Sequence, residues 1–120
     1  NINIFPTADC ILFKYISGKY LDGARPVGAR LTLETRPEHR LGDQLDPATR
    51  KYIELAKRYD LDPCQMALAF VNSRAFVSST LIGATNMDQL RSNIDSISIT
   101  LSEEVLNEIN LIRRAHPMPF

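Results

Sequence analysis

Apolar residues return at helical spacing along the second half of the chain, beginning just after Asp46. Asp46 and Pro47 supply an N-cap and a favoured first helical residue. Apolar side chains then recur every three or four positions, which is the period of an amphipathic helix. The spacing predicts a helix over residues 47–59 with this apolar stripe: Tyr52, Ile53, Leu55, Ala56 and Tyr59.

Asp62 and Pro63 repeat the same start signal and open a more apolar helix. Gln65 lies three positions after Asp62, as in a capping box, where the two side chains bond each other's backbone N–H groups. Nearly every residue in the stretch 66–71 is apolar. Because a helix that is apolar on all sides is a buried one, we expect this helix to be buried almost all round.

The segment 76–84, with the sequence FVSSTLIGA, has a different pattern. It is short, contains β-branched residues and ends at a glycine, which favours a strand buried on both faces, as in a parallel sheet covered by helices. Thr85 and Asp88 then form another capping-box pair. They predict a short helix that runs to about Asn93.

A last amphipathic helix follows Ser102, which is its expected N-cap. Two glutamates occupy its first turn and basic residues lie near its end, so both groups suit the helix dipole. Pro117 closes it. Its apolar stripe consists of Val105, Leu106, Ile109 and Ile112.

Residues 1–45 lack this regularity, although Ile2, Ile4 and Phe5 resemble the start of a strand. Four of the five glycines lie here, which predicts a long irregular segment. The order of helix, buried helix, strand, helix and helix in residues 46–120 belongs to α/β architecture, yet one strand does not make a sheet. Either the chain supplies more strands near its N-terminus, or it is a piece of something larger. Because the sequence begins with Asn1 rather than Met, we also expect it to lack its beginning.

Composition narrows the classes of function. Fourteen basic and fourteen acidic residues balance, so no net field draws the chain to nucleic acid or to an anionic membrane. A helix-turn-helix interpretation of residues 47–72 offers few groove-reading side chains. No apolar run approaches the roughly 20 residues that span a bilayer. Cys10 and Cys64 lie far apart, without metal-ligand spacing or a secretory segment, so we expect reduced thiols, no metal and a cytoplasmic location.

The junction between segment 76–84 and the following helix is the candidate site. A helix N-terminus carries partial positive charge and unpaired N–H groups, and therefore binds phosphate. Gly83 allows an anion to approach the backbone, and Thr85 offers a hydroxyl. Gln89 and Asn93 are four residues apart on one helix face, where two amides suit an adenine or its ribose. Alternatively, Gly83 makes only a turn, Thr85 only caps, and both amides face solvent.

Residues 61–112 resemble the end of an aldo-keto reductase, of the bacterial Tas-like kind related to potassium-channel β-subunits. The shared motifs are ALAFV in the buried helix, IGAT at the strand end, QLRSNI in the next helix and LSEEV in the last. The resemblance also covers an earlier part of the chain, with the motifs SGKY at residues 17–20 and DGARPVGAR at residues 22–30. It weakens after Arg30. Before these motifs the family's Tyr-Ser-Pro-Leu-Ala stretch is replaced, since Asp9, Cys10 and Lys14 stand near its serine, proline and a following glycine.

The resemblance implies an α/β fold, namely the C-terminal fragment of a (β/α)8 TIM barrel, in which residues 1–120 form a single partial domain. Residues 1–45 would hold the altered strand-7 region and a long loop. The chain would supply about the last two βα units plus the C-terminal helix, mostly helical with few short strands. The implied cofactor is NADP(H). Its implied contacts are Lys19 and Arg30 with phosphate or adenosine, Gly83 and Thr85 with the 2′-phosphate region, and Gln89 and Asn93 with adenine.

The family's catalytic Asp, Tyr, Lys and His come from the first part of the barrel, so the resemblance assigns no catalytic residue to this chain. We expect a truncated oxidoreductase segment that is inactive alone. Two alternatives stay open. One is an active enzyme assembled with a missing N-terminal barrel segment. The other is a non-enzymatic, self-associating interaction domain, because barrel strands without neighbours expose edges and apolar faces.

Overall fold

The computed structural model describes residues 15–33 and 45–117, without the side chains at positions 30 and 31. Within these ranges every regular element is helical. Short 3-10 turns lie at Leu21–Gly23 and Ser96–Ser98. The α-helices are α1 (Arg30–Leu33), α2 (Leu45–Arg58), α3 (Pro63–Asn72), α4 (Met87–Asp95) and α5 (Glu103–Ala115).

Local cap chemistry explains where α3 and α5 begin. Asp62 accepts a hydrogen bond from the N–H of Gln65 at 2.9 Å, and Pro63 takes the first helical position. Ser102 accepts from the N–H of Val105 at 3.3 Å. Both caps satisfy an N–H group that an α-helix leaves without a partner, and both predictions are confirmed.

The start of α4 differs from the prediction. Its N-cap is Asn86, whose Oδ1 accepts from the N–H of Gln89 at 2.9 Å, and the helix begins at Met87. The predicted capping-box pair of Thr85 and Asp88 is therefore wrong. Asparagine is at least as good a cap as threonine, and the Thr85 hydroxyl is used elsewhere.

The start of α2 also differs, because the helix already includes Leu45. Asp46 is therefore not its N-cap. Its Oδ2 accepts instead from the N–H of Asp22, at 3.0 Å. Arg50 donates to the Asp22 carboxylate at 2.6 Å, so this pair fastens the 3-10 turn to α2. Asp22 has a φ of 58°, a left-handed conformation that aspartate tolerates better than most residues.

Helices α2, α3 and α5 share one hydrophobic core. This main core consists of Leu55, Ala56, Met66, Val105 and Ile109. Around it α3 is buried on one side, while Cys64, Phe70 and other apolar residues stay partly exposed. The expectation that α3 is buried almost all round is therefore met on one face only. Most residues of the apolar stripes predicted for α2 and α5 belong to this core or pack against it, the exceptions being Ile53 and Leu106.

A second, smaller group of buried residues lies at the other end of α2. This tyrosine cluster consists of Tyr15, Tyr20 and Leu45, with the two rings 5.5 Å apart between centroids. Close packing also explains Gly18, which has a φ of 76° and would place a Cβ only 2.9 Å from the Ile53 side chain. The glycine thus lets the turn before Lys19 lie directly on α2.

The predicted strand at 76–84 does not form. The segment has no regular structure in the described residues, and Phe76 and Leu81 are 71% and 73% exposed. A strand requires a neighbour whose backbone pairs with its own, and the described residues supply none. In the same ranges, no helix has the length and apolar character needed to cross a membrane.

Candidate functional site

Thr85 and Gln89 form the centre of the candidate site. Oε1 of Gln89 accepts two hydrogen bonds from Thr85, one from the backbone N–H and one from the hydroxyl, both at 3.0 Å. Because the two residues are four apart, the first turn of α4 brings the amide back over the loop. The Gln89 amide is therefore oriented, with its Nε2 group turned away from Thr85.

Asn93 lies one helical turn beyond Gln89 and bonds the same loop. Its Nδ2 donates to the backbone oxygen of Gly83 at 3.3 Å. The structure thus brings together Gly83, Thr85, Gln89 and Asn93. We call them the adenosine-phosphate site, after the ligand that the family resemblance implies. Both amides bond the loop, while Gln89 is exposed to solvent and Asn93 is partly buried.

The backbone around this site is open to solvent. Every residue from Leu81 to Gln89 is exposed, and a Cβ added at Gly83 would meet nothing within 4 Å. The first helical bond of α4 runs from the N–H of Leu90 to the oxygen of Asn86. The N–H groups of Met87 and Asp88 precede that bond, so they belong to the unpaired first turn of the helix. Because Gly83 has no side chain, an anion can approach its backbone closely.

Lys19 lies beside the ring of Tyr20. Its ammonium is exposed and sits 5.2 Å from the centroid of the Tyr20 ring, a cation–π distance. The positive charge of Lys19 also acts on the thiol of Cys64, at the start of α3. Burial raises the pKa of the Cys64 thiol to about 11, Asp62 adds to the rise, and Lys19 opposes it. Among the described residues, Lys19 has no hydrogen bond or ion pair with α4.

The remaining sequence predictions concern residues that are only partly described. The backbone of Arg30 begins α1, but its side chain lies outside the described part of the structure. Asp9, Cys10 and Lys14 lie outside it altogether. The proposed roles of Arg30 and of the altered strand-7 region therefore stay predictions.

One contact near the site has no counterpart in the sequence predictions. The side chain of Gln65 donates to the backbone oxygen of Ser92 at 2.9 Å and so joins α3 to α4. In the predicted capping box that side chain would return to the backbone of Asp62. Sequence spacing contains no signal for this contact, because the two residues are 27 positions apart.

A groove elsewhere on the surface is lined by residues of α2 and α5 and is separate from this site. Charged residues such as Lys51 and Lys57 line it beside Leu111. Within it Glu108 pairs with Arg58 and accepts a hydrogen bond from the Tyr59 hydroxyl at 3.0 Å. These contacts link the two helices, so we assign the groove a structural role.

Comparison with known proteins identifies the class to which this fold segment belongs. The model of the aldo/keto reductase family matches residues 15–114, so the chain belongs to this family. The Escherichia coli K12 protein named "Protein tas" is 49% identical over 110 residues, which cover 92% of this chain and 32% of that protein.

More distant relatives agree with this membership. A protein of Babesia bovis named "Aldo-keto reductase" is 33% identical over 103 residues, covering 79% of this chain and 36% of its own length. A Schizosaccharomyces pombe protein named "Putative voltage-gated potassium channel subunit beta" is 32% identical over 114 residues. The match covers 86% of this chain and 32% of that protein. The chain therefore spans about a third of the length of these relatives.

Proposed function

We propose that this chain is the adenosine-binding end of an NADP(H)-dependent aldo-keto reductase, the C-terminal fragment of a cytoplasmic (β/α)8 barrel. The observation that carries the proposal is the grouping of Gly83, Thr85, Gln89 and Asn93 at the exposed start of α4. Barrels of this fold commonly bind phosphate after their last strands, beside a helix N-terminus. Lys19 and Arg30, both in the part of the chain before α2, would add positive charge.

The donor set fits the adenosine end of the cofactor. Phosphate would lie over Gly83, where the N–H groups of Met87 and Asp88 are available. The Thr85 hydroxyl would donate to phosphate by releasing its bond to Gln89. Gln89 uses its oxygen for Thr85 and leaves its NH2 group as a donor. Asn93 uses its NH2 group for Gly83 and leaves its oxygen as an acceptor. One donor beside one acceptor matches the edge of adenine, which carries a ring acceptor and an amino donor.

No residue of this chain is assigned to the chemical step. When bound, the cofactor supplies a hydride from its nicotinamide ring. The residues named above hold the opposite end of the molecule and orient it. We therefore propose that the chain binds and positions the cofactor and is inactive alone, because the family's catalytic Asp, Tyr, Lys and His would come from another part of the barrel.

Calorimetric titration of the purified chain with NADP+ and NAD+ tests this proposal. We expect NADP+ to bind more tightly, because its 2′-phosphate adds a charged group for the α4 N-terminus. Gly83→Glu places a carboxylate where phosphate would lie and should abolish the difference, whereas Gly83→Ala should not. Gln89→Ala should weaken binding, while Asn107→Ala, on the exposed side of α5, serves as its control. No binding at millimolar NADP+ would exclude the function.

We also propose that the remaining barrel segment is the natural partner of this chain. Large apolar side chains are exposed along and after the segment that fails to form a strand, among them Leu81, Ile94 and Ile97. Strands of the missing segment would cover them. NADPH-dependent carbonyl reduction should then appear only when the two pieces are mixed. Size exclusion of the chain alone measures the competing outcome, self-association through the same surface.

A further inference from the structure

Helix α4 buries few of its side chains against the rest of the molecule. It contains no buried residue, and only Leu90, Ser92 and Asn93 are partly buried. Its first turn and the preceding loop are exposed. Packing of apolar side chains therefore contributes little to the position of α4, although this helix supplies two of the four residues of the adenosine-phosphate site. A polar contact from another element consequently carries more weight here than in a well-packed helix.

Gln65 makes such a contact. Its Nε2 donates to the backbone oxygen of Ser92 at 2.9 Å, in a partly buried position. That carbonyl lies in the last turn of α4, where it also accepts from the N–H of Ser96. A carbonyl oxygen has two lone pairs, so it serves both donors. The Gln65 bond thus reaches α4 at the residue directly before Asn93 and three residues after Gln89.

Gln65 is itself held firmly, and independently of its side chain. Its backbone N–H donates to Asp62 at 2.9 Å, which fixes the first turn of α3. Helix α3 in turn contributes Met66 to the main core. The side chain of Gln65 therefore extends from a rigid turn, and its bond to Ser92 transmits that rigidity to α4.

We propose that Gln65 is a positioning residue for the adenosine-phosphate site: it fixes α4 at Ser92 and thereby sets where Gln89 and Asn93 stand relative to the core. This inference rests on the proposed NADP(H) function. Within the described part of the chain, the hydrogen bond of the Gln65 side chain goes to Ser92 and not to any of the four residues that would contact the cofactor. Its effect on binding therefore passes through the placement of α4.

The decisive variant is Gln65→Met, which keeps the length and helix propensity of the side chain but has no N–H donor. We expect NADP+ to bind about three- to tenfold more weakly, the effect of losing one ordinary hydrogen bond. Amide exchange in residues 87–95 should become faster, and the side-chain amide signals of Gln89 and Asn93 should shift in NMR spectra.

Ser102→Ala is the matched control, because it removes the cap of α5 and lowers stability while leaving the first turn of α3 and the Gln65 side chain in place. We expect its NADP+ affinity to stay within about twofold of the wild type. The inference is wrong if Gln65→Met leaves affinity and exchange unchanged, or if Ser102→Ala weakens binding equally. Absence of NADP+ binding by the wild-type chain would instead overturn the proposed function, and this inference with it.

Discussion

Cys64 shows how strongly one residue's surroundings control its chemistry. The thiol lies partly buried in the first turn of α3, and burial, supported by the nearby Asp62 carboxylate, raises its pKa to about 11. Only the thiolate is a good nucleophile. The sequence prediction of a reduced, unremarkable thiol is compatible with this environment, but the half-buried position becomes visible only once α3 is packed.

We predict that Cys64 reacts slowly with thiol reagents. Its pKa lies about two units above the ordinary value of 9.0, so its thiolate fraction at pH 8 is about a hundredfold smaller. The measurement is the rate of reaction with a disulfide reagent at pH 8, in a Cys10→Ser background so that a single thiol reacts. The same protein in urea is the control, and equal rates in the two conditions would contradict the prediction.

At the scale of elements, cap residues control where the helices begin. The caps at Asp62 and Ser102 are predictable from sequence because each depends on a backbone N–H only three residues away. The prediction for α4 is wrong because Thr85 and Asn86 are both good caps and adjacent. Spacing alone does not decide between them, whereas the structure uses Asn86 as the cap and Thr85 as a donor to Gln89.

Asn86→Ala should therefore destabilise the first turn of α4 by about 1 kcal/mol, since the N–H of Gln89 loses its acceptor. Thr85→Ala removes a hydroxyl but leaves the cap, so it should preserve that turn. Carbon chemical shifts of residues 87–89 measure the helicity directly. If the two variants lost helicity equally, Asn86 would not be the residue that starts this helix.

The strand predicted at 76–84 and the helix at 45–58 differ in what each requires from the rest of the protein. An amphipathic helix closes its own backbone bonds and needs only one apolar face covered, which the main core provides for α2. A strand needs a partner along its edge. The sequence pattern shows that 76–84 suits a buried strand, but a pattern in one segment contains no neighbour to pair with it.

At the scale of the whole molecule, stability rests on a core of few side chains. Leu55 is fully buried, at 0% exposure, and belongs to the main core, to which three helices contribute residues. The helices from residue 45 onward, and the core residues that they contribute, are predictable from the spacing of apolar residues. The (β/α)8 barrel remains a prediction from family resemblance, because about two thirds of a relative's length has no counterpart in this chain.

Leu55→Ala should lower the free energy of unfolding by about 2–5 kcal/mol, the usual effect of truncating a buried leucine to alanine. The free energy of unfolding of a native protein is only about 5–15 kcal/mol. The variant should therefore lose much of its helical structure at moderate temperature. Leu111→Ala is the matched control, because that leucine is 62% exposed on α5 and should change stability by less than about 0.5 kcal/mol. Thermal unfolding followed by circular dichroism separates the two, and similar midpoints would show that the main core is not where the stability lies.

The tyrosines divide evenly between the two buried clusters. Tyr15 and Tyr20 form the tyrosine cluster, while Tyr52 and Tyr59 pack against the main core, and the sequence contains no tryptophan. Tyrosine emission is therefore the protein's own fluorescence, undiminished by energy transfer to an indole. If one pair is replaced by phenylalanine, the fluorescence of the remaining pair reports on the cluster at the other end of α2. The two ends of one helix can thus be followed separately as the protein unfolds.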